Sequence, residues 1–485
     1  MRNPPSAPLP GTPPMPSPFH RLTLLLALGL GACDGQAPDF GRAEPDEALS
    51  AGSATVRRSD RDAFAQPAAN LTASQRMDFA VGNSFFRKPW VIAPSSTTAR
   101  DGLGPLFNTN ACLNCHIRDG RGHPPEARAD NAVSLLLRLS IPETPETASI
   151  AARLGVVPEP LYGTQLQDMA VPGVIPEARV RLSYDTHSLR FADGFAVELR
   201  RPRLQLDRLG YGPLHPDTRF SLRVAPPMIG LGLLEAIPDT ALLANADPDD
   251  ADGDGISGRP NRVRDHATLN TALGRFGWKA GQPNLGQQNA EAFLNDLGLS
   301  SRLRPGNNCT PAQSACLAAA DGGTPEVDDH LLARVLFYTR HLGVPARRAV
   351  DDPQVLAGKA LFHGAGCARC HTPTFVTAAD AAEATLASQK IHPYSDLLLH
   401  DMGDGLADNR AEFQASGREW RTPPLWGLGL TRRVSGHTQL LHDGRARNPL
   451  EAILWHGGEA QAARDRVLAF DAGQRAALLA FLNSL

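Results

Sequence analysis

The chain has 485 residues, 42% of them hydrophobic, enough for roughly two to four domains with a buried core. Its formal net charge of −3 carries no basic excess, which argues against a nucleic-acid partner. With 44 glycines, 41 prolines and 6% aromatic residues, the composition excludes a long-helix bundle and points to short helices joined by many loops.

At the N-terminus, Arg21 precedes an apolar run from Leu22 to Leu30 that is too short to span a bilayer permanently. The run ends in Leu30-Gly31-Ala32-Cys33, which resembles the bacterial lipobox, where the cysteine is lipidated and becomes the first mature residue. An ordinary signal peptide with a chance cysteine is the alternative. Asp34 resembles the signal that retains some lipoproteins at the inner membrane, and either Met1 or Met15 is the start. Residues 1–33 are therefore expected to direct export to the periplasm, with the membrane reached through a lipid anchor only. Residues 34–70 are polar and non-periodic and are expected to form a flexible tether.

Further along, short apolar segments with helical spacing run from Met77 to Phe86 and from Val355 to Phe362. Residues 180–225 alternate polar and apolar side chains around Ala192-Asp193-Gly194, the pattern of a β-hairpin. Asp250, Asp252 and Asp254, with Gly255 at position six, have the spacing of a calcium loop, but position twelve is Asn261 instead of a bidentate Glu; an acidic surface turn is the other reading. Residues 326–342 read as an amphipathic helix ended by Gly343 and Pro345, and Asp471 opens a capped C-terminal helix.

Seven cysteines punctuate this pattern. Cys112-Leu-Asn-Cys115-His116 and Cys367-Ala-Arg-Cys370-His371 are two C-x-x-C-H motifs, each with a Phe (Phe107, Phe362) five residues before its first cysteine. In such a motif two thiols on one turn add to the two vinyl groups of haem, and the adjacent imidazole reaches the iron. A zinc site would want four ligands in tetrahedral array, usually from paired C-x-x-C units. Two covalently bound c-type haems are therefore expected, held by Cys112, Cys115, His116 and by Cys367, Cys370, His371. Cys309 and Cys316 remain, and in an oxidising compartment that pair is expected to form a disulfide.

Several longer stretches carry a resemblance. They are Asp101 to Phe107, Asp119 to Gly122, Val224 to Glu235, Asp254 to Asn261, Gly274 to Ala280, Arg421 to Thr431, His437 to Gly444, and Leu450 to Glu459. In this order they resemble the di-haem oxidoreductase family, also labelled thiol oxidoreductase, of the bacterial di-haem cytochrome c peroxidase superfamily, over roughly residues 70–485. The resemblance implies a mainly α fold: an N-terminal haem domain (71–345) with a β-containing, loop-rich insertion, and a C-terminal cytochrome c-like haem domain (346–485).

It also implies roles. The peroxidases of the superfamily usually ligate the C-terminal haem with a Met fourteen residues after a His such as His442; here that position is His456, and Met402 is the rival ligand. They place a Gln and a Glu ten residues apart over the open face of the N-terminal haem, which Gln167 and Glu177 match, Glu177 as acid–base. His123 is a further candidate ligand. Trp278, Trp420, Trp426 and Trp455 are candidates for an electron path, or simply buried aromatics. The implied activity is peroxidase-like, with hydrogen peroxide as oxidant and a periplasmic electron donor protein. The alternatives are a di-haem oxidase that modifies a protein partner and a non-enzymatic electron-transfer cytochrome.

Overall fold

In the computed structural model, residues 40–125 and 133–485 are described. Cys33, Asp34 and the expected signal segment lie outside them. Phe40–Leu485 form one compact unit. None of the described helices is long and apolar enough to cross a membrane.

Two helix pairs frame the unit. Helix Ala73–Arg87 starts at a capping box, in which Thr72 Oγ1 accepts from Gln75 N at 3.3 Å and Gln75 Oε1 accepts from Thr72 N at 3.0 Å. It packs on helix Asp329–Arg340, capped by Asp328. Helix Pro353–Gly364, with Asp352 as cap and Pro353 in its first turn, packs on helix Ala472–Ser484, capped by Asp471.

Both crossings are made by a glycine. A Cβ on Gly82 would stand 2.2 Å from Arg334 O, and one on Gly358 would stand 1.9 Å from Ala477 O. Only hydrogen fits there, so the helix backbones touch and the flanking aromatics interlock. Phe86 and Tyr338 lie 5.1 Å apart in one pair, and Phe362 and Phe481 lie 5.1 Å apart in the other. The two pairs fall on either side of residue 345.

The fold is not mainly α. The chain is 30% helical and 17% strand, and the described residues hold six two-stranded antiparallel sheets. The long hairpin Arg179–Arg190/Ala196–Asp207 falls where the alternation predicts it. Other pairs join distant segments, such as Leu135–Ser140 with Arg219–Val224. Helices stay short because Gly and Pro recur too often for long ones.

Residues 40–70, expected as a tether, are packed into the unit from Phe40 onward. Val56 N donates to Val344 O at 2.8 Å, Ala68 N donates to His341 O at 2.8 Å, and Phe64 is buried. Buried Glu47 meets Arg347 and, at 2.9 Å, Lys359 Nζ. A polar, non-periodic stretch is thus anchored by Phe64, scattered buried alanines and one buried ion cluster instead of a periodic apolar stripe.

Candidate functional site

The second C-x-x-C-H motif opens onto a cavity of about 220 Å³ lined by Phe362, His371, Met402, His442 and His456, among others. Cys367 and Cys370 form no disulfide, and burial pushes the Cys367 thiol up to about 12. His371 Nδ1 lies 2.9 Å from Tyr394 O, so it donates its proton there and leaves Nε2 as the ligating nitrogen. Burial pulls His371 down to about 4, which keeps the ring neutral as a metal requires.

His456 is built the same way. It caps the helix Pro449–Trp455, its Nδ1 lies 2.7 Å from Ala452 O, and burial lowers its pKa. Met402 shares the cavity. His400 does too, but both its nitrogens are engaged: Nε2 lies 2.8 Å from Asp396 Oδ2 and Nδ1 lies 2.6 Å from Glu459 Oε2. Burial opposes its charge, yet Asp396 and its other partners hold the ring protonated well above the usual range, so it is no iron ligand.

The first motif faces a second cavity, also of about 220 Å³. Cys112 and Cys115 again form no disulfide. His116 Nδ1 lies 2.8 Å from Pro226 O, and burial brings the ring down to about 4. The residue donor set in each cavity fits a covalently held haem: two thiols and a neutral imidazole oriented by a main-chain carbonyl.

The cavities differ in what else lines them. Among the described residues, His116 is the only histidine lining the first; Met228 also lines it, two residues beyond the Pro226 carbonyl that holds His116. The rest of its polar lining includes Arg138, Arg223, Gln288, Glu291, Asp296 and Glu412. Burial raises the Asp296 carboxyl, which accepts from Gln165 Nε2 at 2.9 Å. Glu412 is also pushed up by burial, but Arg223 at 2.8 Å and Arg410 at 2.7 Å hold it well below the usual carboxylate range.

Glu177 and Gln167 are corrected by the geometry: neither lines this cavity. Glu177 is 1% exposed, and its two oxygens accept from Gln167 N at 2.5 Å and Gln313 Nε2 at 2.6 Å. Gln167 Nε2 donates to Asn295 O at 2.7 Å. The ten-residue spacing closes a loop on itself here. Gln313 belongs to the short loop closed by a Cys309–Cys316 disulfide.

Other candidates are also redistributed. His123 Nδ1 lies 2.8 Å from Pro124 O, and its ring rests 5.0 Å from that of His437, outside the first cavity. Phe107 is buried away from the cavity, and the ring beside His116 is Phe86, at 6.1 Å, matching Phe362 at 6.3 Å from His371. In the acidic turn, Asp250 and Asp252 gather with Asp247, their ligand oxygens within 4.8 Å. Asp254 pairs instead with Arg369, and Asn261 Nδ2 donates to Lys279 O at 2.8 Å, so neither joins them.

Trp278, Arg121, Arg421, Pro423 and Pro424 line both cavities and so form a shared wall. Trp278 Nε1 donates to Val224 O at 2.8 Å, and its ring lies 6.5 Å from that of His442. His442 stacks on Trp420 at 3.7 Å and 9°, and Lys279 Nζ lies 4.3 Å from the Trp420 centroid. Of these, the sequence singles out Trp278 and Trp420 as aromatics and names His442 only as the residue from which His456 is counted; Arg121 and Arg421 go unassigned, although both lie in stretches that carry the resemblance.

A family model described as "Di-haem oxidoreductase, putative peroxidase" matches residues 46–485. No curated protein matches the chain. A solved structure of hydrazine synthase from Kuenenia stuttgartiensis, pressurised with xenon, is similar at 12% identity over 87% of this chain and 93% of that one, with a TM-score of 0.31.

Proposed function

The chain belongs to the di-haem oxidoreductase family, and we propose that it is a peroxidase-like enzyme with two unequal haems. The observation that carries this reading is the contrast between the cavities: a second pre-oriented imidazole, His456, in one, and His116 as the only imidazole lining the other among the described residues. Haem held at each C-x-x-C-H motif would supply the one-electron redox chemistry and bind peroxide.

His371 and His456 would hold a haem at the C-terminal site through two imidazole nitrogens, which suits that site to electron storage. Met402 is the weaker candidate, because no comparable hydrogen bond fixes its orientation. His116 anchors the N-terminal site from one side only. Reduction of peroxide to water takes two electrons and two protons, so the N-terminal cavity also needs a proton-holding group. Asp296 is the carboxyl best suited, since burial raises its affinity for a proton whereas Glu412 is committed to two arginines. Trp278, in the wall common to both cavities, bridges the two sites for electrons.

The reading includes export to the periplasm, a lipid anchor at Cys33, and a periplasmic donor protein as the electron source, all supported by the N-terminal sequence and by the haem motifs. Calcium in the acidic turn belongs to it as well, held by Asp247, Asp250 and Asp252.

The test is His456→Ala in the haem-loaded protein. The C-terminal haem should turn high-spin, and reduction of the peroxide-oxidised protein by a donor should slow in stopped-flow. A C-terminal haem that stays low-spin, with unaltered electron supply, would remove His456 from this role.

A further inference from the structure

The wall between the cavities holds two cations with no carboxylate of their own. Arg121 and Arg421 are each 8% exposed, and both line both cavities. Arg121 donates through Nη2 to Leu441 O at 2.6 Å, while its Nε is buried without a partner. Arg421 donates through Nε to Gly277 O at 2.9 Å and through Nη1 to Thr422 O at 3.4 Å. Neither forms an ion pair among the described residues.

The nearby acids are already committed. Asp443 accepts from Arg445 Nε at 2.8 Å, and Asp396 lies 2.8 Å from His400 Nε2. A buried guanidinium without a counter-ion is costly, and so is a buried carboxylate. Burial accordingly pulls both arginines down to about 10. Arg121 also lies over Trp278, its Cζ 5.6 Å from the ring centroid, which holds the charge inside the wall.

Each haem carries two propionate carboxylates, and the fork of an arginine matches a carboxylate in two hydrogen bonds. We propose that Arg121 and Arg421 are propionate-binding residues shared by the two haems. This rests on the reading that both cavities hold haem. The missing counter-ions are then supplied by the cofactors. Because each arginine faces both cavities, its charge stabilises the ferrous state of both irons and links their reduction potentials.

The experiment uses the haem-loaded protein and the variants Arg421→Gln, Arg421→Lys and Arg121→Lys. Resonance Raman reads the propionate bending bands, and spectroelectrochemistry reads each haem separately. Arg421→Gln should move the propionate bands and lower the reduction potential of both haems, shifting each ferric-to-ferrous ratio about tenfold at fixed potential, equal to about 59 mV for one electron. Arg421→Lys should recover most of the potential but not the bands. Unchanged bands in Arg421→Lys and Arg121→Lys would overturn the proposal even if Arg421→Gln fails to retain haem. A shift confined to one haem would overturn the sharing. A haem count of zero in the wild-type protein would defeat the underlying reading instead.

Discussion

Gly358→Ala should destabilise the C-terminal site, and the structure sets the scale. The new Cβ would lie 1.9 Å from Ala477 O and 2.8 Å from Phe481 Cβ, against the 3.0 Å that real Cβ contacts respect. Helices Pro353–Gly364 and Ala472–Ser484 must therefore part by about 1.1 Å at their crossing. Overpacking of this kind costs ~1–3 kcal/mol. Replacing a helical glycine by alanine returns ~0.5–1 kcal/mol, so the net loss should centre on ~1 kcal/mol and reach about 2.5 kcal/mol at most. Phe362 sits on the same helix and lines the cavity that His371 faces, so that cavity should loosen with the crossing. Gly364 on that helix is the control: nothing lies within 4 Å of its Cβ position, and alanine there should stabilise by up to ~1 kcal/mol. Urea unfolding followed by haem absorbance and far-ultraviolet circular dichroism compares the two. If Gly358→Ala is as stable as Gly364→Ala, the close crossing is not what holds the pair together.

Glu177→Gln should leave peroxide turnover nearly intact, because Glu177 does not line the cavity; a loss near the ~10²–10⁴-fold typical of general acid–base groups would restore it to the mechanism. Burial raises Glu177 from 4.5 to about 8, so its stabilising contribution is present below 4.5 and lost as pH rises through 8. The stability difference between wild type and Glu177→Gln should therefore shift toward the variant across that window, and a flat difference in urea melts would contradict the burial argument. Replacing both Cys309 and Cys316 by Ser should cost about 2–3 kcal/mol on the loop-closure scale for so short a loop, measurable by thermal melting. Calcium titration by calorimetry should give weaker binding for Asp250→Asn but wild-type binding for Asp254→Asn, since Asp254 is held by Arg369; the reverse order would return the site to the spacing read from sequence.

The two C-x-x-C-H motifs, the C-terminal helix and the long hairpin are legible because local signals specify them: cysteine spacing, Asp471 as a cap, and alternation around Asp193-Gly194. The fold class was not, because strands such as Leu135–Ser140 find partners some eighty residues away, and no local pattern announces that pairing. The segment from Phe40 to residue 70 was misread for a related reason, since its anchor is an ion cluster around Glu47 instead of a periodic stripe. Gln167 and Glu177 carried the spacing of a distal pair, yet the same spacing serves a loop whose carboxylate caps a backbone N–H. Phe107 matched Phe362 in sequence position, while the ring beside His116 came from the preceding helix as Phe86. Arg121 and Arg421 were invisible as a pair because three hundred residues separate them.

Low-temperature electron paramagnetic resonance of the resting ferric protein shows whether the two haems differ in their sixth position. One low-spin signal of bis-imidazole type should come from the His371/His456 site and one high-spin signal from the His116 site, in equal amounts. Two low-spin signals, with no high-spin iron, would contradict that difference.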